Sequence, residues 1–237
     1  MSKDPFGKAV LDFQSNNEPK NIITHSSLAG EDEIPVDYLF RNYKEMPSIE
    51  QKALDLSKGK ILDVGCGAGS HALYLQNKGK NVTAIDISEG AVEVCKLRGI
   101  ENASVENIWD YSGEKFDTIL ILMNGTGICG KLNKLDAFLK HLKSLLKPNG
   151  QILIDSSDII YMFEDENGEY WIDASQGYYG EVVFSMEYKD QKSDEFNWLY
   201  VDFNTFQNCA NYNGFLCELI EEGEHYDYLA RLTVLED

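Results

Sequence analysis

The five residues Gly65-Cys66-Gly67-Ala68-Gly69 constrain this chain more than any other feature. They follow the short apolar run Lys60-Ile61-Leu62-Asp63-Val64 and precede a segment carrying Leu73 and Leu75 that Gly79 ends, so they read as the turn between a buried strand and a helix. Glycines at alternate positions let backbone pass where a side chain would block it, and a helix N-terminus aims its free amides at the same spot. A second unit repeats the order, with a strand over Asn81 to Ile85, a turn at Asp86, and a helix that Ser88 caps and Gly99 ends. Strands at Ala103 to Glu106 and Phe116 to Leu122 follow. The helix Lys134 to Leu146 has Leu135, Phe138, Leu139, Leu142, Leu145 and Leu146 at steps of three and four, and Pro148-Asn149-Gly150 stops it before a strand over Gln151 to Asp155. Near-continuous apolar strands alternating with helices belong to a parallel sheet covered on both faces.

The ends of the chain differ in character. Residues 1 to 36 show no sustained period and read as an irregular arm, while Ser48 and Gln51 form a capping box that opens a helix through Leu56. After Asp155, Tyr178 to Tyr188 and Phe196 to Phe203 flank the polar stretch 189 to 194 as an antiparallel hairpin. A helix over Asn204 to Asn213 and strands over Phe215 to Ile220 and Tyr226 to Leu235 complete the chain. The expected architecture is α/β: a doubly wound, Rossmann-like seven-stranded sheet, mostly parallel with an antiparallel last strand, plus an inserted antiparallel β-hairpin. The expected division is an N-terminal arm or lid over 1–46 and one domain over 47–237, with a substrate-cover hairpin at about 163–203.

A dinucleotide fingerprint requires G-x-G-x-x-G, and the glycines here fall one residue tighter. Asp63-x-Gly65-x-Gly67-x-Gly69, with an acid at Asp86 where the second strand ends, resembles the cofactor site of the class I S-adenosylmethionine-dependent methyltransferases. The phrases Tyr38-Leu39-Phe40-Arg41, Met123-Asn124-Gly125, Asp155-Ser156-Ser157-Asp158 and His225-Tyr226-Asp227-Tyr228-Leu229 are similar to those of a group of bacterial members whose substrate is unassigned. The resemblance implies S-adenosylmethionine as cofactor and a role for each matched residue. Gly65, Cys66, Gly67 and Gly69 carry the chain under the methionine part, and Asp63 fixes the loop and reaches the amine through water. Asp86 accepts from both ribose hydroxyls, and Ile87 flanks the adenine. Asn107, or alternatively Asp110, takes the adenine amine, while Ile108 or Trp109 covers the ring. Met123 and Asn124 line the cofactor near the sulfonium, and Arg41 is expected to pair with the cofactor carboxylate unless it forms a surface ion pair.

Methyl transfer from a sulfonium neutralises charge, so it needs positioning and dryness more than acid–base machinery. A base need only remove the acceptor's proton; Asp155, Asp158 and His225 are the candidates, with Tyr161 nearby. Asp155 and Asp158 have helix capping as their alternative role, and His225 and His71 have surface or half-buried packing. Absent motifs narrow the acceptor: no Pro-Pro-Tyr follows the fourth strand, no Pro-Cys exists, and Met123 stands where a catechol-type metal site has an acid, so no metal is expected. Charge narrows it further, since residues 163 to 237 hold 18 acids against 3 bases, net −15, whereas residues 1 to 162 hold 22 against 18. That field repels polyanions, disfavouring nucleic acid and anionic membrane and favouring a neutral or cationic small molecule. Five cysteines without close pairs, no signal-like N-terminus and no long apolar run point to a reducing, cytoplasmic setting. The expected function is methyl transfer to an O or N atom of a small molecule; a protein methyltransferase and a non-catalytic cofactor-binding module are the alternatives.

Overall fold

The computed structural model describes residues 3–173, 175 and 177–235. The arm opens with helix α1 (Pro5–Gln14) and the strands β1 (Ile22–Ser26) and β2 (Gly30–Ile34). Helix α2 (Ser48–Leu56) then leads into β3 (Lys60–Val64), α3 (Ser70–Asn77), β4 (Asn81–Asp86), α4 (Glu89–Leu97) and the short β5 (Ala103–Val105). Next come β6 (Phe116–Ile121), α5 (Leu135–Ser144) and β7 (Leu146–Ser157). The hairpin strands β8 (Glu181–Tyr188), β9 (Gln191–Lys192) and β10 (Phe196–Leu199) precede α6 (Phe203–Tyr212), β11 (Phe215–Glu222) and β12 (Asp227–Val234).

The main sheet has seven strands in the order β11-β12-β7-β6-β3-β4-β5. β3 is parallel to β4 and β6, and β6 to β7, while β12 runs antiparallel to both its neighbours β7 and β11. The expected doubly wound sheet with an antiparallel last strand is therefore the fold. Alternate residues of each strand serve opposite cores. Leu62, Ile119, Ile121, Ile152 and Ile154 pack with Leu135, Phe138, Leu139 and Leu142 of α5 and Phe206 of α6 on one face. Ile61, Leu120 and Leu153 pack with Ile49, Ala53 and Leu54 of α2 and Ala72 and Leu75 of α3 on the other. Two buried faces explain why these strands read as unbroken apolar runs.

The arm corrects the expectation of an irregular segment. Asp4 caps α1 by accepting from the Gly7 amide at 2.8 Å, Pro5 occupies the first turn, and Ala9 and Val10 are fully buried. β1 then pairs antiparallel with both β2 and β8, with Ile23 opposite Glu187, so the inserted hairpin and the arm form a second sheet in the order β10-β8-β1-β2. The partner of β1 lies more than 150 residues away in sequence, which is why no local pattern discloses it. A second correction concerns α2. Pro47 is its cap residue, without a side-chain bond, and Gln51 donates to the Met46 carbonyl at 2.7 Å, so the Ser48–Gln51 capping box does not form.

Candidate functional site

The carboxyl ends of β3 and β4 meet at the glycine turn. Gly65 and Cys66 donate their amides to the Ile85 carbonyl at 2.9 and 3.1 Å, tying the turn to the neighbouring strand. Gly69 sits at φ +81° as the first residue before α3, and a Cβ there would lie 2.3 Å from Ile100 Cδ1, so only glycine fits. Asp86 closes the turn from the β4 side: its Oδ2 accepts from the Gly67 amide and its Oδ1 from the Ser88 amide, both at 2.9 Å. Burial pushes the Asp86 carboxyl above the ordinary range, while those two amide bonds oppose the rise. Each oxygen keeps a second lone pair, so the carboxylate has room for two further donors. Ile87, the next residue, is 74% exposed and offers a bare apolar face beside it.

Below the turn lies a buried charge network. Arg41 donates to Glu50 Oε1 and to the Tyr38 carbonyl, and its guanidinium stacks 4.0 Å from the Tyr38 ring centre. The other Glu50 oxygen is 2.7 Å from His71 Nε2. Burial alone would raise Glu50, but the bonds and charges of His71 and Arg41 win and hold it below the ordinary carboxylate range. Asp63, 1% exposed, behaves oppositely: burial pushes it up to about 6, with His71 pulling down and Asp86 adding to the rise. Asp63 Oδ2 and Arg41 Nε have no hydrogen-bond partner among the described residues. Buried polar atoms are nearly always paired; Asp63 Oδ2 leaves its lone pairs open to a bridging water beside the glycine turn, whereas the Arg41 charge is already met by Glu50.

A cavity of about 290 Å³ opens beside this network, lined by Tyr38, Ile49, Glu50, Met123, Asn124, Asp155, Ser157, His225 and Asp227 among others. Its floor is a strained loop in which Met123 and Asn124 adopt φ +67° and +58°. Asp155 Oδ2 accepts from the Met123 amide at 3.1 Å and Oδ1 from the Gly125 amide at 2.7 Å. Burial pushes Asp155 up to about 6, against the pull of those amides. Ser156 Oγ donates to Asn124 Oδ1 at 3.2 Å, and Asn124 Nδ2 donates to the Leu199 carbonyl of β10 at 3.3 Å, which ties the loop to the hairpin. His225 is exposed at the rim, its amide donating to Asp227 Oδ1 at 2.9 Å. Asp158 does not line the cavity: its Oδ1 accepts from the Ile160 amide at 2.9 Å and the Tyr179 hydroxyl at 2.7 Å.

The fold thus gathers Asp63, Gly65, Cys66, Gly67, Gly69, Asp86 and Ile87 at one sheet edge and Met123, Asn124, Asp155 and His225 around one cavity. Asn107 is exposed beyond β5, its Oδ1 accepting from the Trp109 amide at 3.1 Å. Ile108 departs from its expected place, since it is 3% exposed and packed in the core under α5. Glu50 and Tyr38 escaped the sequence reading as site residues. For Glu50 a signal existed: it shares the buried stripe of α2 with Ala53 and Leu54, and an acid in an apolar stripe asks for a partner. Among the described residues no three His, Cys, Asp or Glu side chains converge as metal donors, and no helix is long and apolar enough to cross a membrane.

Comparison with known proteins fits this geometry. A family described as a methyltransferase domain matches residues 61–150. A solved S-adenosylmethionine-dependent methyltransferase from Bacteroides fragilis, in complex with S-adenosyl-L-homocysteine, is 51% identical, covers 99% of this chain and 96% of its own, and superimposes with a TM-score of 0.92. The chain belongs to the class I S-adenosylmethionine-dependent methyltransferases. Its cofactor is S-adenosylmethionine. The methyltransferase is also 31% identical to the ubiquinone biosynthesis O-methyltransferase of Rickettsia conorii over 112 residues, 45% of this chain and 38% of that one. It covers less than half the length of that relative and of its Rickettsia felis counterpart, at 38% and 43%. A methyltransferase structure from Methanosarcina mazei, 19% identical over 81% of this chain and 99% of its own with a TM-score of 0.59, shares the fold. The residues of this methyltransferase suit the cofactor, because the glycine turn leaves bare backbone beside the Asp86 carboxylate, which suits a ribose diol, and the unpaired Asp63 Oδ2 near it suits a water-bridged ammonium.

Proposed function

We propose that the enzyme transfers the methyl group to an oxygen or nitrogen of a small molecule held in the cavity between Tyr38, Met123, Asp155 and His225. The observation that carries this reading is the cavity itself. At about 290 Å³ it is an open cleft just under the usual size of a small-molecule site, and it abuts the loop after β6 and the network that would hold the amino-acid end of the cofactor. When bound, the cofactor supplies an electrophilic methyl on a sulfonium.

The chain's own residues do the positioning. Asp63 reaches the ammonium through water and Arg41 takes the carboxylate, with Glu50 holding the guanidinium and His71 holding Glu50. The turn Gly65-Cys66-Gly67-Ala68-Gly69 lies beneath the chain between sulfur and ribose, Asp86 accepts from the ribose hydroxyls, Ile87 covers one adenine face, and Asn107 meets the adenine amine. Met123 and Asn124 bring the acceptor loop to the methyl. Of the three candidate bases, His225 is the one whose side chain is not already engaged by donors, because both Asp155 oxygens hold the loop and Asp158 holds Ile160 and Tyr179. His225 would take the acceptor's proton on an imidazole nitrogen.

The acceptor is neutral or cationic: Glu50, Asp155 and Asp227 line the cavity, and the segment 163 to 237 that contributes His225 and Asp227 to it carries net −15. The curated relatives are named O-methyltransferases, which favours oxygen. Five free thiols suit the cytoplasm. The test is transfer of labelled methyl from S-adenosylmethionine into extracts separated by size. Label in the small-molecule fraction is expected, and label confined to protein or nucleic acid would overturn the reading. Calorimetry on the parent and on Asp86→Ala tests the placement of the ribose, with loss of binding expected.

A further inference from the structure

Helix α1 docks on the glycine turn through contacts that a mere surface arm does not need. A Cβ on Gly90 of α4 would lie 2.6 Å from backbone atoms of Gly7, so the two helices touch backbone to backbone, and only a glycine at 90 permits it. Their capping residues are joined. Asp4 spends one oxygen on the Gly7 amide, while the other accepts from Ser88 Oγ at 2.7 Å and from the Gly90 amide at 3.3 Å. Ser88 Oγ in turn caps α4 through the Ala91 amide at 3.0 Å, and the Ser88 amide sits on Asp86 Oδ1. The α1 N-terminus is thus two hydrogen bonds from the carboxylate at the end of β4. Phe6 reaches the turn directly: its ring edge is 3.5 Å from where a Gly67 Cβ would stand, and the ring is half-buried with surface to spare.

We infer that α1 is a built part of the cofactor site, with Phe6 a contact residue for the nucleoside end and Asp4 a positioning residue that acts through Ser88 on Asp86. This rests on the placement of the ribose at Asp86. Phe6 gains by covering its remaining ring surface with a nucleoside, and the gain expected from a few tens of Å² is about tenfold in affinity. The helix does not depend on the cofactor to stay in place. Lys8 pairs with Asp190 and Asp12 with Lys189, both at 2.6 Å, and Tyr188 donates to Asp12 at 3.1 Å, so the turn between β8 and β9 clamps α1 from its far side. A preformed wall of this kind acts on affinity rather than on folding.

Calorimetry with S-adenosylhomocysteine and with 5′-methylthioadenosine, which lacks the amino-acid end, tests the inference on the full chain. Phe6→Ala is expected to weaken both ligands by the same factor, about tenfold, and Phe6→Leu to restore part of it. Asp4→Ala and Ser88→Ala are each expected to weaken 5′-methylthioadenosine several-fold, with the double variant no worse than the poorer single, and Asp4→Asn to recover most of the loss. Thermal melts run beside each variant separate lost contact from lost fold, and Phe6→Leu decides where Phe6→Ala melts early. If Asp86→Ala abolishes binding while the Phe6 and Asp4 variants bind both ligands as the parent does, the role of α1 is wrong and the site stands. If Asp86→Ala itself binds as the parent does, the ribose placement fails and this inference falls with it.

Discussion

Asp155 Oδ1 accepts the Gly125 amide proton at 2.7 Å, and this bond pins the far end of a loop whose two preceding residues are both left-handed. Non-glycine residues at positive φ cost about 1–3 kcal/mol each and persist only where the surroundings over-determine them. Asp155 supplies that determination through Met123 and Gly125 together. In Asp155→Asn one of the two amides faces an NH₂ group and loses its acceptor. The expected result is a loss of about 1–3 kcal/mol in denaturant unfolding with an unchanged m value, and a fall in turnover larger than any change in cofactor affinity. Unaltered stability would show that the loop holds its shape without Asp155.

Cofactor binding is expected to weaken as pH falls through about 6. Burial pushes the free Asp63 up to about 6, and an ammonium partner favours its ionised form, so binding below that pH expels a proton. Proton release lowers affinity as protons become plentiful, by up to tenfold for each pH unit below 6 if Asp63 acts alone. The parent should release protons at pH 5.5 in calorimetry across buffers of different ionisation enthalpy, and Asp63→Asn should bind more weakly at neutral pH with that release gone. A pH-independent parent affinity between 5 and 7 would remove Asp63 from the ammonium.

The parallel half of this fold was legible because its signals are local. Ile119, Leu120 and Ile121 are buried on alternating faces by helices that are themselves periodic, and Gly65 to Gly69 sit between a strand and a helix within twenty residues. Asp86 could be placed from the same short range. The arm was not legible, since Phe6, Ala9, Val10 and Phe13 keep helical spacing for only about two turns, with Gly7 and Asp12 flanking the stripe. Gly7 is there for α4 and Asp12 for Lys189, partners that adjoin α1 only once the chain has folded. The Arg41–Glu50–His71 network was hidden for a related reason: three elements contribute one residue each, and no spacing links them.

Gly90→Ala separates two opposing effects. Alanine in place of glycine inside α4 should stabilise an isolated helix by about 1 kcal/mol. The added methyl, however, would meet Gly7 backbone at 2.6 Å, where no side chain can swing aside. The expected outcome is net destabilisation, with α1 displaced and the segment 1–20 cut first in limited proteolysis while 47–237 survives longer. A more stable, protease-resistant Gly90→Ala protein would show that the contact between α1 and α4 is loose.

The acceptor side has a matching contact, and Gly127→Ala should disturb it without touching the cofactor. Gly127 lies in the turn after the strained loop, and a Cβ there would fall 2.0–2.4 Å from the indole of Trp198 on β10. The indole packs edge-on against Phe196 at 6.1 Å between ring centres, and its strand is held on both sides: β10 is paired with β8 through Trp198 opposite Val182 and Leu199 opposite Glu181, and the Leu199 carbonyl accepts from Asn124 and Thr126. Displacing the indole therefore moves the hairpin edge and the loop at Asn124 together. Asp86 and Asp63 share no hydrogen bond with Trp198 among the described residues, and α1 meets the hairpin at Tyr188 to Asp190, the opposite end of β8 from the Val182 that Trp198 pairs with. The acceptor KM should rise about tenfold or more while the dissociation constant for S-adenosylhomocysteine stays within twofold of the parent, a division expected where a misplaced wall costs binding at one subsite only. Equal losses on both ligands would mean that the hairpin and the glycine turn form one site rather than two.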